Sequence, residues 1–225
     1  MKILRIIADL LFPPKCILCG KVLEKEESDL CHSCRAEIFD CPKPKRVIPF
    51  IESWLSLWYY EGNVRHSLLR YKFYGQRSYA AVYGRLLAMK LLRDIPDSFD
   101  ILTYTPISTL RRFSRGYDQV ELIAKSIAAE LGMKVVPTLK KIRHNPPQSG
   151  ITGAAHRRAN VLGVYRAVNP ERFAGKRVLL LDDIITTGST VSECARVLLT
   201  AGAKEVICAA VAAASQQKTP SNNNQ

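Results

Sequence analysis

Asp182 and Asp183 stand side by side after an apolar run, and two apolar residues later comes Thr186-Thr187-Gly188-Ser189-Thr190. Carboxylates accept hydrogen bonds from hydroxyls. A cluster of hydroxyls and free backbone N–H groups opening a helix makes an anion cradle. Gly188 lets the backbone approach an anion closely. A ribose 5-phosphate presents both matching features, a diol on one side of the ring and a phosphate on the other. Capping one helix needs only one side chain, so two acids followed by five small or hydroxyl residues exceed what capping requires.

A second constellation lies near the start. Five of the seven cysteines fall between residues 16 and 41, and Cys16, Cys19, Cys31 and Cys34 read C-x2-C, eleven residues, C-x2-C. Thiolates two apart on tight knuckle turns each supply half of a tetrahedral zinc site. Gly20, directly after Cys19, suits the positive φ of such a turn. Four thiolates leave no open coordination position, so this zinc is structural. Disulfides, disfavoured in the cytoplasm, and an iron–sulfur cluster with Cys41 as a ligand are the competing readings. His32 is read as a bystander, and Cys194 and Cys208 as buried small hydrophobes.

The elements that must position these groups follow from composition and periodicity. The chain has 225 residues, is 47% hydrophobic and 24% charged, and carries a formal charge of +13. That excludes collagen, coiled coil and bulk disorder. No apolar run reaches the ~18–20 residues that span a bilayer. Charges interrupt the apolar residues of 1–14, which therefore do not read as a signal peptide, and the expected location is cytoplasmic. A buried strand is expected from Lys176 to Leu181 and helices over 118–131 and 189–201. Strands are expected near 54–60, 100–105 and 205–213, with two more at 134–142 and 161–168. Residues 77–93 have helical spacing. Alternation of strand and helix argues for an α/β fold on a mainly parallel sheet. The expected boundaries are a zinc module and linker over 1–45, a main domain over 46–214 and a disordered tail over 215–225. Within the main domain, 46–98 would be a hood side and 99–214 the core.

The charge has addresses. Residues 65–115 hold ten basic groups against three acidic, and residues 134–177 hold ten against one. Single-sign blocks attract phosphate. In the first, Arg111, Arg112 and Arg115 precede Gly116 and would bring guanidinium forks to a pyrophosphate, unless this is a solvated turn. In the second, residues 143–160 have the length and composition of a lid, with Arg143, Gln148, Arg157 and Arg158 able to close over a phosphate, or of an ordinary exposed loop. His144 could join them, but neither it nor His156 has a visible carboxylate partner. Around 54–79, Trp54, Trp58, Tyr59, Tyr60, Tyr71, Phe73, Tyr74 and Tyr79 interleave with Arg65, Arg70, Lys72 and Arg77. Rings that stack bases and cations that track phosphates are the parts of a single-strand groove; the alternative is that most of the rings are core.

The segment VLLLDDIITTGST resembles the phosphoribosyl-pyrophosphate (PRPP) binding motif of type I phosphoribosyltransferases. The resemblance implies a parallel sheet flanked by helices, with a variable hood and a mobile loop. It makes Asp182 and Asp183 contacts of the ribose 2′- and 3′-hydroxyls and residues 186–190 the 5′-phosphate cradle. Mg²⁺ would be shared by pyrophosphate and diol. With TPISTLRRFSRGYDQ, RYKFYGQRSY and the N-terminal C-x2-C pairs, the chain is similar to the ComF/GntX group of competence-associated phosphoribosyltransferase-like proteins. That implies single-stranded DNA and competence-machinery proteins as partners. The alternative is a Mg-dependent phosphoribosyltransferase of nucleotide metabolism with an unknown acceptor, and a third reading makes the knuckle a protein-docking module. Members of the group often carry a third knuckle where this chain has only Cys41 and Pro44.

Overall fold

A computed structural model describes residues 13–37, 46–96, 98–143 and 161–215. The chain order is α1 (His32–Glu37), β1 (Ser53–Tyr59), α2 (Gly62–Phe73), α3 (Tyr79–Asp94), β2 (Ile101–Tyr104), α4 (Thr109–Arg115) and α5 (Gln119–Glu130). Then follow β3 (Leu139–Lys141), β4 (Tyr165–Ala167), β5 (Arg177–Ile185), α6 (Ser189–Thr200) and β6 (Glu205–Ala213). Four strands make one sheet in the order β1–β6–β5–β2, and every pairing in it is parallel. The expected α/β class is borne out. β3 and β4 form a separate antiparallel pair at the two ends of residues 144–160, so Gln148, Arg157 and Arg158 lie outside the described residues, as do His144, His156, Cys41 and the tail from residue 216.

The central strand explains the site. β5 is buried on both faces, as a parallel strand between helices should be. Its alternate residues feed two cores. Leu179 and Leu181 pack with Tyr71, Tyr83 and Ile123 on one side, whereas Val178 and Leu180 pack with Val191, Cys194 and Leu198 on the other. Cys194 and Cys208 are fully buried, as expected of small hydrophobes.

Three expectations change. β5 runs on through both acids to Ile185 rather than ending at Leu181, because Asp182, Ile184 and Ile185 stay in register with β6. The stretch 46–98, expected as a hood side, contributes β1, an edge strand of the same sheet paired to β6 from Ser53↔Ile207 to Tyr59↔Ala213. The aromatic run does not form one exposed groove either. Trp58 and Tyr71 are buried and meet Tyr83 edge-on, with ring centroids 6.2 and 5.5 Å apart. Their alternation with charged residues is the signature of half-buried elements.

The cysteine module packs onto the same core. Ile17 and Leu18 join the cluster around Tyr71 and Tyr83. Arg70 of α2 donates through Nη2 to the carbonyls of Ile17 (2.9 Å) and Leu18 (2.6 Å), and Ser67 donates to the Ile17 carbonyl. Arg85 of α3 pairs with Asp29. Arg70 is therefore a clamp on the module. Replacing Arg70 by Ala leaves the Leu18 carbonyl without its donor and the Ile17 carbonyl with Ser67 alone, and should lower stability by about 2 kcal/mol in a urea melt.

Candidate functional site

Strand alternation sends the adjacent acids to opposite faces of the sheet, yet both line a cavity of about 380 Å³ beyond its C-terminal end. That is where ligands bind in open α/β sheets. Asp182 accepts a hydrogen bond from Thr105 Oγ1 at 2.8 Å. On the other face, Lys72 Nζ of α2 lies 2.8 Å from Asp183 Oδ2, which also accepts from Gln119 Nε2 at 3.0 Å. Gln119 is held there because Asp118 caps α5, accepting from the N–H groups of Val120 and Glu121. Asp118 also accepts from the Ile107 N–H at 3.0 Å, tying the loop after β2 to that helix.

Burial pushes the Asp182 carboxyl up to about 7, aided by the Asp183 charge and opposed by the Thr105 hydrogen bond and by Lys72. The sign is fixed by linkage. Between about pH 4 and 7 the folded chain keeps a proton that the unfolded chain has lost, so stability falls as pH rises across that window. Asp182→Asn should flatten this dependence in melts taken from pH 4 to 8. A ligand whose hydroxyl needs a carboxylate acceptor should bind more tightly in the parent as pH rises through 7.

The Lys72–Asp183 pair is largely out of water, with side chains 17% and 9% exposed. Removing one partner of such a pair leaves an uncompensated charge and costs about 3 kcal/mol. Lys72→Met should therefore destabilise the protein in denaturant melts, and adding Asp183→Asn should recover most of the loss.

The loop after β5 has the shape of a cradle, with a division of labour. Gly188 is in the left-handed conformation (φ 81) at the N-cap of α6. The Thr187 and Ser189 hydroxyls bond each other at 2.8 Å and brace the loop. Thr186 and Thr190 line the cavity. Ile48 lies against Gly188, and Arg46 donates to the Thr186 carbonyl at 2.6 Å, so the segment before β1 supports the loop from behind.

Of the arginines expected at a pyrophosphate, Arg111 and Arg115 line the cavity. They sit on α4, a short helix whose C-cap is Gly116. Arg112 does not join them, since the helix turns it toward Glu121, 3.3 Å away. Arg143 is exposed at the end of the β3 segment. Of the strand-binding set, Lys72 is in the site, Arg65 is exposed on α2, and Arg77 stacks over Tyr117 at 4.7 Å. Sequence reasoning missed Thr105, Gln119, Lys141 and Tyr165 as lining residues. Burial lowers the Lys141 ammonium to about 8, with Arg111 adding to the effect. Gln119, buried directly after a cap residue on an otherwise apolar face, carries a readable signal; Lys141 does not.

At the module, the sulfurs of Cys16, Cys19, Cys31 and Cys34 all lie within 4.8 Å of one another. The corners of a tetrahedral thiolate site with ~2.3 Å metal–sulfur bonds require spacings of that order. All four are free thiols, and Gly20 has the expected positive φ of 80. His32 is not in the cluster; its backbone N–H donates to Glu27. The cluster is consistent with a structural zinc.

Residues 121–225 match the phosphoribosyl transferase domain, and residues 7–45 match the double zinc ribbon domain. Competence protein F of Haemophilus influenzae is 25% identical over 216 residues, covering 85% of this chain and 93% of the relative. Competence protein ComFC of Streptococcus pneumoniae is 26% identical over 223 residues, covering 85% and 96%. DNA utilization protein YhgH of Salmonella typhimurium is 30% identical over 143 residues, 60% of each chain. A parallel α/β sheet with its acids and helix-opening loop at one end, behind a four-cysteine ribbon, is consistent with these two domain matches. The chain is similar to competence protein F, to ComFC and, over part of its length, to YhgH. Among the described residues no helix is long and apolar enough to cross a membrane.

Proposed function

We propose that this chain binds PRPP with Mg²⁺ in the cavity at the end of β5 and handles single-stranded DNA. One observation carries the first half. Diol acceptors, a helix-opening phosphate loop and several cations face a single cavity. Asp182 and Asp183 accept the ribose hydroxyls. Thr186 and Thr190, with the N–H groups of the loop, hold the 5′-phosphate. Lys72, Arg111, Arg115 and Lys141 supply positive charge where a pyrophosphate would lie, and charge fixed in place before the reaction stabilises a departing anion. The carboxylates are hard oxygen donors of the kind Mg²⁺ takes. Bound there, the ion would neutralise charge developing on the leaving group.

The second half is supported by the excess of basic groups in residues 65–115 and by the names of the relatives, which refer to competence and DNA utilization. Both halves are tested with the zinc-loaded full chain. PRPP–Mg²⁺ should raise its melting temperature. Oligo(dT) should bind with an affinity that falls with salt by ~0.7 log units per phosphate contacted. Absence of either response removes the corresponding half. Pyrophosphate release from PRPP in the presence of candidate acceptors reads out turnover directly.

A further inference from the structure

A second cavity of about 380 Å³ adjoins the first and shares Lys72, Phe73, Arg111 and Arg115 with it; Ser114 and Tyr117 help complete its wall. No acidic residue lines it among the described residues. Its surroundings are unusual in a second way. Phe73, which lines it, and Tyr74 next to it at the end of α2 are 62% and 73% exposed. Arg115 already lies over the Phe73 ring at 5.0 Å, a stack of guanidinium on aromatic face.

Exposed rings beside cations, with no competing carboxylates, fit a ligand that has both flat faces and phosphates. A small sugar phosphate has no flat face, and a duplex keeps its base faces stacked inside. We propose that this rim, formed by the end of α2 and by α4, is where a single strand lies. On it a base stacks at Phe73, and a phosphate sits against Arg115 in the second cavity. The proposal rests on the reading that the chain handles single strands, and it adds where the strand lies. Since Lys72 walls both cavities, the strand would pass at the mouth of the PRPP site.

The test is fluorescence anisotropy of labelled oligo(dT) with the zinc-loaded full chain and its variants. Phe73→Ala should weaken binding about tenfold while leaving the salt slope unchanged. Phe73→Trp should retain parent-like or tighter binding, as a stacking ring would and a merely space-filling one need not. Arg115→Gln should reduce the salt slope by about 0.7. A duplex of equal length should compete poorly. Parent-like binding by Phe73→Ala, or equal competition by the duplex, would overturn the location. Failure of the parent to bind oligo(dT) at all would instead remove the single-strand reading on which the location depends.

Discussion

Stripping the metal from the four-cysteine module is expected to be the most damaging single change to this protein. A structural zinc contributes on the order of 10 kcal/mol of folding free energy in isolated peptides, comparable to the whole net stability of a domain. The ribbon segment has little core of its own. Ile17 and Leu18 are buried against α2 and α3 instead. Without the knuckle, Arg70 loses its two carbonyl acceptors and the cluster around Tyr71 and Tyr83 loses one wall. Lys72, which neutralises Asp183, lies two residues further along α2. A strong zinc chelator, or Cys34→Ser, should therefore lower the melting temperature by about ten degrees or more and also weaken PRPP–Mg²⁺ binding. A melt unmoved by chelation would show that the module does not support the domain.

Gly188→Ala should be nearly as severe for the site. A left-handed backbone costs a residue with a Cβ about 1 kcal/mol. An added Cβ would also sit 3.0 Å from Ile48 Cδ1 and 3.1 Å from its Cγ1 and Cγ2. Ile48 is 2% exposed, so it has little room to yield without moving the segment that holds Thr186 through Arg46. The expected result is a loss of about 2 kcal/mol in urea melts, together with loss of the thermal stabilisation that ribose 5-phosphate is expected to give the parent. Parent-like stabilisation in the variant would mean that the phosphate does not sit on this loop.

Much of this arrangement is legible in the order of the residues. The β5–α6 segment declares itself because an apolar run, two acids and a hydroxyl-rich turn occur in fixed order, and each is a local feature. The knuckles are legible for the same reason. What the sequence conceals is mostly a matter of partners far apart along the chain. Arg70 and Lys72 are two residues apart on α2 and equally basic, but one clamps the carbonyls of Ile17 and Leu18 while the other neutralises Asp183. No local pattern separates them. Arg112 reads as one of a set with Arg111 and Arg115, although a helix of 3.6 residues per turn directs it elsewhere; recognising α4 as a helix is enough to separate it. Trp58 and Tyr71 resemble a binding surface because charged residues interleave with them. In a half-buried strand or helix that interleaving marks the core face just as well.

Lys72 gives the site a property that a motif cannot express. One carboxylate of the pair is already compensated by an ammonium, whereas the other is pushed up to about 7, chiefly by burial. The two acids are therefore not equivalent. Among the described residues, Asp183 is held by Lys72 and Gln119, and Asp182 by the Thr105 hydroxyl and its neighbour's backbone N–H. Asp182 is thus the acid whose ionisation should follow ligand binding and pH.

The most direct measurement is calorimetric titration of PRPP–Mg²⁺ into the zinc-loaded full chain and into the folded Asp182→Asn/Asp183→Asn variant. The parent should give a saturable one-site isotherm, and the double variant should give none at the same concentrations. Equal binding by the two proteins, or no binding by the parent, would contradict the assignment of the β5 cavity as the PRPP site.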